Sequence, residues 1–159
     1  MTVVLGIDPG TATTGYGLVR ERVDGSLEAL EYGTIQTPSG MPAHQRLSLL
    51  FHRLNEILLL QRPDGCAVEK LFFQRNVSTA IGVGQARGVV MLAISEAGLD
   101  VAEYTPNAVK QAVAGYGNAG KRQVQEMVRV LLALTEIPKP DDAADALAIA
   151  ITHLHTRRD

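Results

Sequence analysis

Cysteine is almost missing from this sequence. The single thiol, Cys66, has no partner for an internal disulfide, which excludes a cross-linked extracellular scaffold. It sits in the apolar run Cys66-Ala67-Val68 with no basic neighbour to activate it, the setting of an inert, buried thiol in a reducing cytoplasm. Long apolar runs are lacking as well. Nothing approaches the ~20 uninterrupted apolar residues that span a bilayer, and the chain opens on strand-like residues instead of a basic, signal-like segment. A cytoplasmic protein with no membrane partner is the expectation. The third shortage is of positive charge. Domains that neutralise phosphates usually carry a basic excess, whereas the net charge here is -2, so composition alone favours a metabolic enzyme. Distribution can reverse that reading, because a site that gathers carboxylates hides a basic rim from the net count.

What is present is the composition of a folded domain. With 159 residues, 46% hydrophobic and 20% charged, the chain can bury an adequate core, and one domain over residues 1–159 is expected. No linker, repeat or low-complexity segment interrupts it. Val3-Val4-Leu5-Gly6-Ile7 is a continuous, partly β-branched run of the kind found in a central strand covered on both faces, and Asp8 ends it. Residues 15–21 and 27–37 flank an Asp24-Gly25 turn, which suggests a hairpin. Leu47, Leu50, Phe51, Leu54, Ile57 and Leu58 mark a helix over residues 43–61. A fourth strand is expected at residues 65–69, a second long helix from a cap at Asn76 to about Gly98, and a fifth strand at residues 101–104. A short helix carrying Lys110 follows. Past the glycine-rich loop at residues 115–120, a helix is expected over residues 121–134, ended by Pro138-Lys139-Pro140. Asp141 or Asp142 then caps the last helix, whose stripe Ala144, Leu147, Ala148, Ile151 and Leu154 faces inward. Three antiparallel strands followed by alternating helices and strands make an α/β mixed five-stranded sheet with helices on both faces.

Four acids stand out in that frame. Asp8 and Glu69 each follow an apolar strand, where a side chain can point into the crevice that open α/β sheets use for ligands. Asp142 and Asp145, three apart, share one face of a helix. If the last helix crosses the central strands, all four converge, and their mutual repulsion demands a cation. Hard oxygen donors without a cysteine or histidine cluster suit Mg²⁺ or Mn²⁺. Two such ions ~3.5–4 Å apart can activate a water and stabilise the leaving oxygen of a phosphodiester. Read singly, none of these acids is strong evidence: Asp142 is as readily a helix cap, and a surface role is less fitting only for Glu69 at the end of an apolar strand.

The same residues carry a family resemblance. Gly6-Ile7-Asp8-Pro9-Gly10 with Thr14-Gly15-Tyr16-Gly17, then Ala67-Val68-Glu69-Lys70-Leu71-Phe72, resemble the RuvC family of Holliday junction resolvases. So do Gly84-Gln85-Ala86-Arg87-Gly88, Val109-Lys110-Gln111, Lys121 with Gln123-Val124-Gln125, and the run from Asp142-Ala143-Ala144-Asp145 to His153. The resemblance covers nearly the whole chain in the family's order. It implies a ribonuclease H-like fold and a homodimer that nicks opposed strands of four-way junction DNA, working with the branch-migration proteins RuvA and RuvB. It places catalytic acids and metal ligands on Asp8, Glu69, Asp142 and Asp145, important lysines on Lys110 and Lys121, and a junction-contacting ring on Phe72. Lys121, at the end of a flexible loop, would stabilise charge on the scissile phosphate, and Lys110 would hold a neighbouring one. Phe72 or the adjacent Phe73 would stack on an unpaired base. Arg75, Arg87 and Arg122 are candidate phosphate contacts, and His153 and His155 are read as packing or surface residues ahead of ligands.

Two other enzymes share parts of this pattern. The string from Asp8 to Gly15 also resembles the first phosphate loop of the actin-like ATP-binding superfamily, but a second phosphate loop and closing domain do not fit in 159 residues. Small ribonuclease H-like proteins of ribosomal RNA maturation share the strand-end acids. The Gln-Ala-Arg-Gly helix, the lysine-bearing glycine loop and the ending at residues 142–147 favour the resolvase. A catalytically dead junction-binding module would be expected to lose an acid, and none is missing.

Overall fold

The computed structural model describes residues 1–70 and 77–157. The chain opens with β1 (Thr2–Asp8), β2 (Thr13–Glu21) and β3 (Leu27–Gln36), then α1 (Ala43–Gln61) and β4 (Gly65–Glu69). There follow α2 (Val77–Glu96), β5 (Val101–Tyr104), α3 (Pro106–Ala114), α4 (Lys121–Leu131) and α5 (Asp141–Thr156). The strands form one sheet in the order β3-β2-β1-β4-β5. β1, β2 and β3 pair antiparallel, and β4 and β5 add parallel to β1 on its other side. The central strand is therefore β1, the most apolar of the five, as burial on both faces requires.

Side-chain alternation divides the core. Leu5, Ile7 and Leu18 face α1 and α2 with Leu50, Leu54, Val90 and Ile94. Val4, Val19 and Ala67 face the opposite side with Val109, Val128, Leu147 and Ile151 of the last three helices. Asp8 has the parity of Val4 and Gly6, and Glu69 that of Ala67, so both acids leave the sheet on the α5 side.

α5 is the keystone of that layer. Every residue from Ala146 to Thr152 is buried, and each fully buried Leu or Ile contributes about 1.5–3 kcal/mol. Its seat is made by missing side chains. A Cβ on Gly6 would lie 2.1 Å from the Ala146 carbonyl oxygen, and one on Gly15 would lie 2.0 Å from that of Asp142. Only glycine lets the helix backbone rest directly on β1 and β2 at these points.

Two expectations about helix ends are corrected. α4 stops at Leu131, because Ala133 turns left-handed (φ 53) and redirects the chain; the helix has ended well before Pro138. Neither Asp141 nor Asp142 caps α5. Pro140 occupies the cap position and both acids lie in the first turn, where the positive end of the helix dipole favours them. Asn76, Phe72, Phe73 and Arg75 lie outside the described residues.

Candidate active site

The site is assembled by register. Asp8 pairs with Gly15 on β2, and one step back Ile7 pairs with Val68 on β4, so Asp8 and Glu69 emerge from the adjacent ends of parallel neighbours. Because α5 sits on Gly15 through its own Asp142 carbonyl, the first turn of the helix lies over Asp8. Asp8, Asp142 and Asp145 accordingly each offer a carboxylate oxygen within 4.8 Å of the others, a spacing able to hold a metal ion. Glu69 lies outside this tight triple. It shares a cleft of about 260 Å³ with Asp145, Lys110 and Lys121, floored by Pro106, Val109, Val124 and Ala148.

Electrostatics follow from that crowding. Burial, with the charges of Asp145, Asp142 and Glu69 added, pushes the Asp8 carboxyl from 3.8 up to about 7. Glu69 is raised by burial and by Asp145, with Lys110 pulling the other way. Asp145 is raised by burial while Lys121 opposes the shift. Such a set is unstable as four anions and is satisfied by a divalent cation with oxygen ligands, so the donors present fit a metal.

Lys121 opens α4 at the lip of this cleft. Its Nζ lies 3.4 Å from Asp141 and 3.9 Å from Asp145, and the Asp145 charge raises its pKa. Sequence reasoning treated Asp141 only as a possible cap and missed this contact. The signal was available, since Asp141 and Asp145 are four apart and share a helix face. Arg122, on the same turn, is 78% exposed and pairs with Glu126 at 3.4 Å, one turn along the helix. Arg87, a candidate phosphate contact, donates to the main-chain carbonyl of Glu69 and to the Glu103 carboxylate. His153 hydrogen bonds the Tyr104 hydroxyl through Nδ1 at 2.6 Å, and His155 Nδ1 lies 3.2 Å from the Ala112 carbonyl oxygen. Both stand apart from the acidic triple, and burial holds His153 below the usual histidine range.

An acid at the end of a central strand, faced by two more from a helix seated across the sheet, defines a ribonuclease H-like nuclease. The family described as crossover junction endodeoxyribonuclease RuvC matches residues 4–153. The chain is 59% identical over 152 residues to the RuvC protein of Chloroflexus aggregans, covering 96% of this chain and 92% of that one. The protein of Heliobacterium modesticaldum is likewise 59% identical, over 155 residues, with 97% and 94% covered. The structure of Thermus thermophilus RuvC in complex with a Holliday junction substrate superposes with a TM-score of 0.94 at 42% identity, covering 99% of this chain and 96% of that one. The chain belongs to the RuvC family of crossover junction endodeoxyribonucleases.

The raised carboxyl of Asp8 has a measurable consequence in metal-free protein. Its folded pKa lies above its unfolded value, so the penalty is complete above pH 7 and fades as the pH falls toward 4. Discounted for the solvent that reaches the cleft, it amounts to about 2 kcal/mol. Asp8→Asn should therefore raise the melting temperature of metal-free protein at pH 8 by about 4–8 °C, and by progressively less toward pH 4. Scanning calorimetry in chelator checks this, and a variant less stable than wild type at pH 8 would refute the crowding.

Proposed function

We propose that the chain acts as one nuclease domain in a homodimer that resolves four-way junctions by paired hydrolysis of opposed strands. The observation that carries this reading is the carboxylate triple of Asp8, Asp142 and Asp145, seated in a chain of this family. Its substrate is four-way junction DNA, supported by the Thermus thermophilus relative having been captured with that substrate.

Asp8, Glu69, Asp142 and Asp145 would hold Mg²⁺, as two ions, with Mn²⁺ able to substitute, since all four donors are hard oxygens. When bound, such ions supply an activated water and stabilise the leaving oxygen of the phosphodiester. The chain's own cations do the rest. Lys121, held beside Asp145, stabilises charge on the scissile phosphate, and Lys110 on the cleft wall orients the adjoining one. Arg122 and Arg75 contact the backbone, and Phe72 or Phe73 stacks on an unpaired base at the crossover.

The dimer reading rests on α2. Ile81 and Leu92 are more than half exposed, and a Cβ on Gly88 would meet nothing within 4 Å, so the chain's own fold does not require glycine there. A second copy packing on this helix would cover the apolar residues and give two identical sites for a nearly two-fold substrate. Such a dimer would work in the cytoplasm with the branch-migration proteins RuvA and RuvB. Among the described residues no helix is long and apolar enough to cross a membrane.

The test uses a heterodimer of wild-type protein and a tagged Asp8→Asn partner, offered labelled four-way junction, linear duplex, RNA-DNA hybrid and structured RNA, with and without Mg²⁺. The expected result is one nick, in one strand, on the junction alone and only with metal. Paired cuts by the heterodimer would end the two-site model, and cleavage of structured RNA in preference would restore the ribosomal RNA reading.

A further inference from the structure

Among the described residues, Arg87 is the least exposed of the ion-paired cations, at 12%, and it faces the last residue of β4. Its Nη1 donates to the main-chain carbonyl of Glu69. Its Nη2 donates to Glu103 Oε1 on β5 at 2.5 Å. On the other side, Glu69 stands opposite Tyr104 in the parallel ladder, and the Lys70 N–H donates to the Tyr104 carbonyl at 2.7 Å. The end of β4 is thus gripped twice, by the neighbouring strand and by a side chain from α2.

A largely covered guanidinium loses part of its hydration and needs partners for its N–H groups, which Glu69 and Glu103 supply. Its planar fork spans a carbonyl on one strand and a carboxylate on the next, which a single ammonium cannot do with the same geometry. The carbonyl it holds belongs to the residue whose backbone angles aim the Glu69 carboxylate into the cleft. We infer that Arg87 and Glu103 are positioning residues that fix the main chain of Glu69 and so the direction of its carboxylate. The inference rests on the reading of Glu69 as a metal ligand, and neither Arg87 nor Glu103 touches substrate in it.

The experiment compares full-length Arg87→Lys, Glu103→Ala, Glu103→Gln and Glu69→Gln with wild type. Mn²⁺ binding is followed by electron paramagnetic resonance without DNA, junction affinity by gel shift in chelator, and folding by thermal melting. Glu69→Gln should weaken Mn²⁺ binding, and Arg87→Lys should weaken it by about tenfold while junction affinity stays at the wild-type level. Glu103→Ala should shift Mn²⁺ binding in the same direction by less, and Glu103→Gln should recover most of that loss by restoring an acceptor oxygen. If Glu69→Gln weakens Mn²⁺ binding while Arg87→Lys and Glu103→Ala leave it unchanged, the positioning role is overturned and the ligand reading stands. Reduced junction affinity with normal Mn²⁺ binding in Arg87→Lys would instead make Arg87 a phosphate contact. An unaltered Mn²⁺ affinity in Glu69→Gln removes the ligand reading and the inference with it.

Discussion

Asparagine at Asp145 is expected to leave a protein that binds a four-way junction and does not cut it, the cleavage rate falling by at least about 10³-fold. Asp145 is coupled to its neighbours across the site: its charge raises Asp8, Glu69 and Lys121 together. The amide keeps the shape but neither holds a cation as well nor pairs with the ammonium of Lys121. Junction affinity, carried in the proposed reading by phosphate contacts outside the acids, is expected to survive or to rise slightly as one negative charge leaves. Asp8→Asn, Glu69→Gln and Asp142→Asn are expected to separate binding from cutting in the same way. Gel shifts beside single-turnover nicking of labelled junction measure both quantities on one preparation. A variant that nicks at near-normal rate would remove its residue from the centre, and one that loses binding in parallel would point to a folding defect.

The second large effect is expected from a residue that carries no chemistry. In Gly15→Ala the added methyl would lie 2.0 Å from the Asp142 carbonyl oxygen and 2.4 Å from its carbon. Both are backbone atoms, so no side chain can swing aside and the first turn of α5 must lift. That overpacking should cost about 1–3 kcal/mol, seen as a lower melting temperature, and cleavage should fall further than the loss of stability explains. The displaced turn is the one that brings Asp142 over Asp8, so Mn²⁺ binding should weaken even in the fraction that remains folded. Normal Mn²⁺ binding by a destabilised Gly15→Ala would show that the seat of α5 and the geometry of the acids are independent.

The contrast between these two variants marks what could be read from residues alone. β4 and β5 have the bounds that residues 65–69 and 101–104 suggested; β4 is a buried parallel strand that writes its identity in consecutive residues, while β5, at the sheet edge, is set off by Pro106 after it. The convergence of Asp8 with Asp142 and Asp145 was legible from strand end and helix spacing, given the assumption that the last helix crosses the sheet. What makes that crossing possible was not legible: Gly6 and Gly15 look like ordinary strand glycines until the helix backbone is seen resting on them. The pairing of Arg87 was not legible for a related reason. A periodic pattern says that a residue lies on a helix, but the acceptors that draw this arginine inward come from β4 and β5, far away in sequence. Asp141 was read locally as a cap when its partner, Lys121, stands twenty residues earlier on another helix.

α5 carries two of the acids and is also the most deeply buried helix, from Ala143 through Leu154. Detaching the whole helix from β1 and β2 would expose that stretch to water at a free energy that approaches that of unfolding the chain, whereas a lift of the first turn alone uncovers only Ala143 and Ala144. A folded chain with α5 wholly released is therefore not a resting state open to this fold. With α5 held in place, control over when the enzyme cuts is expected through cation loading of the acids, what the cleft admits and how the junction is presented to it.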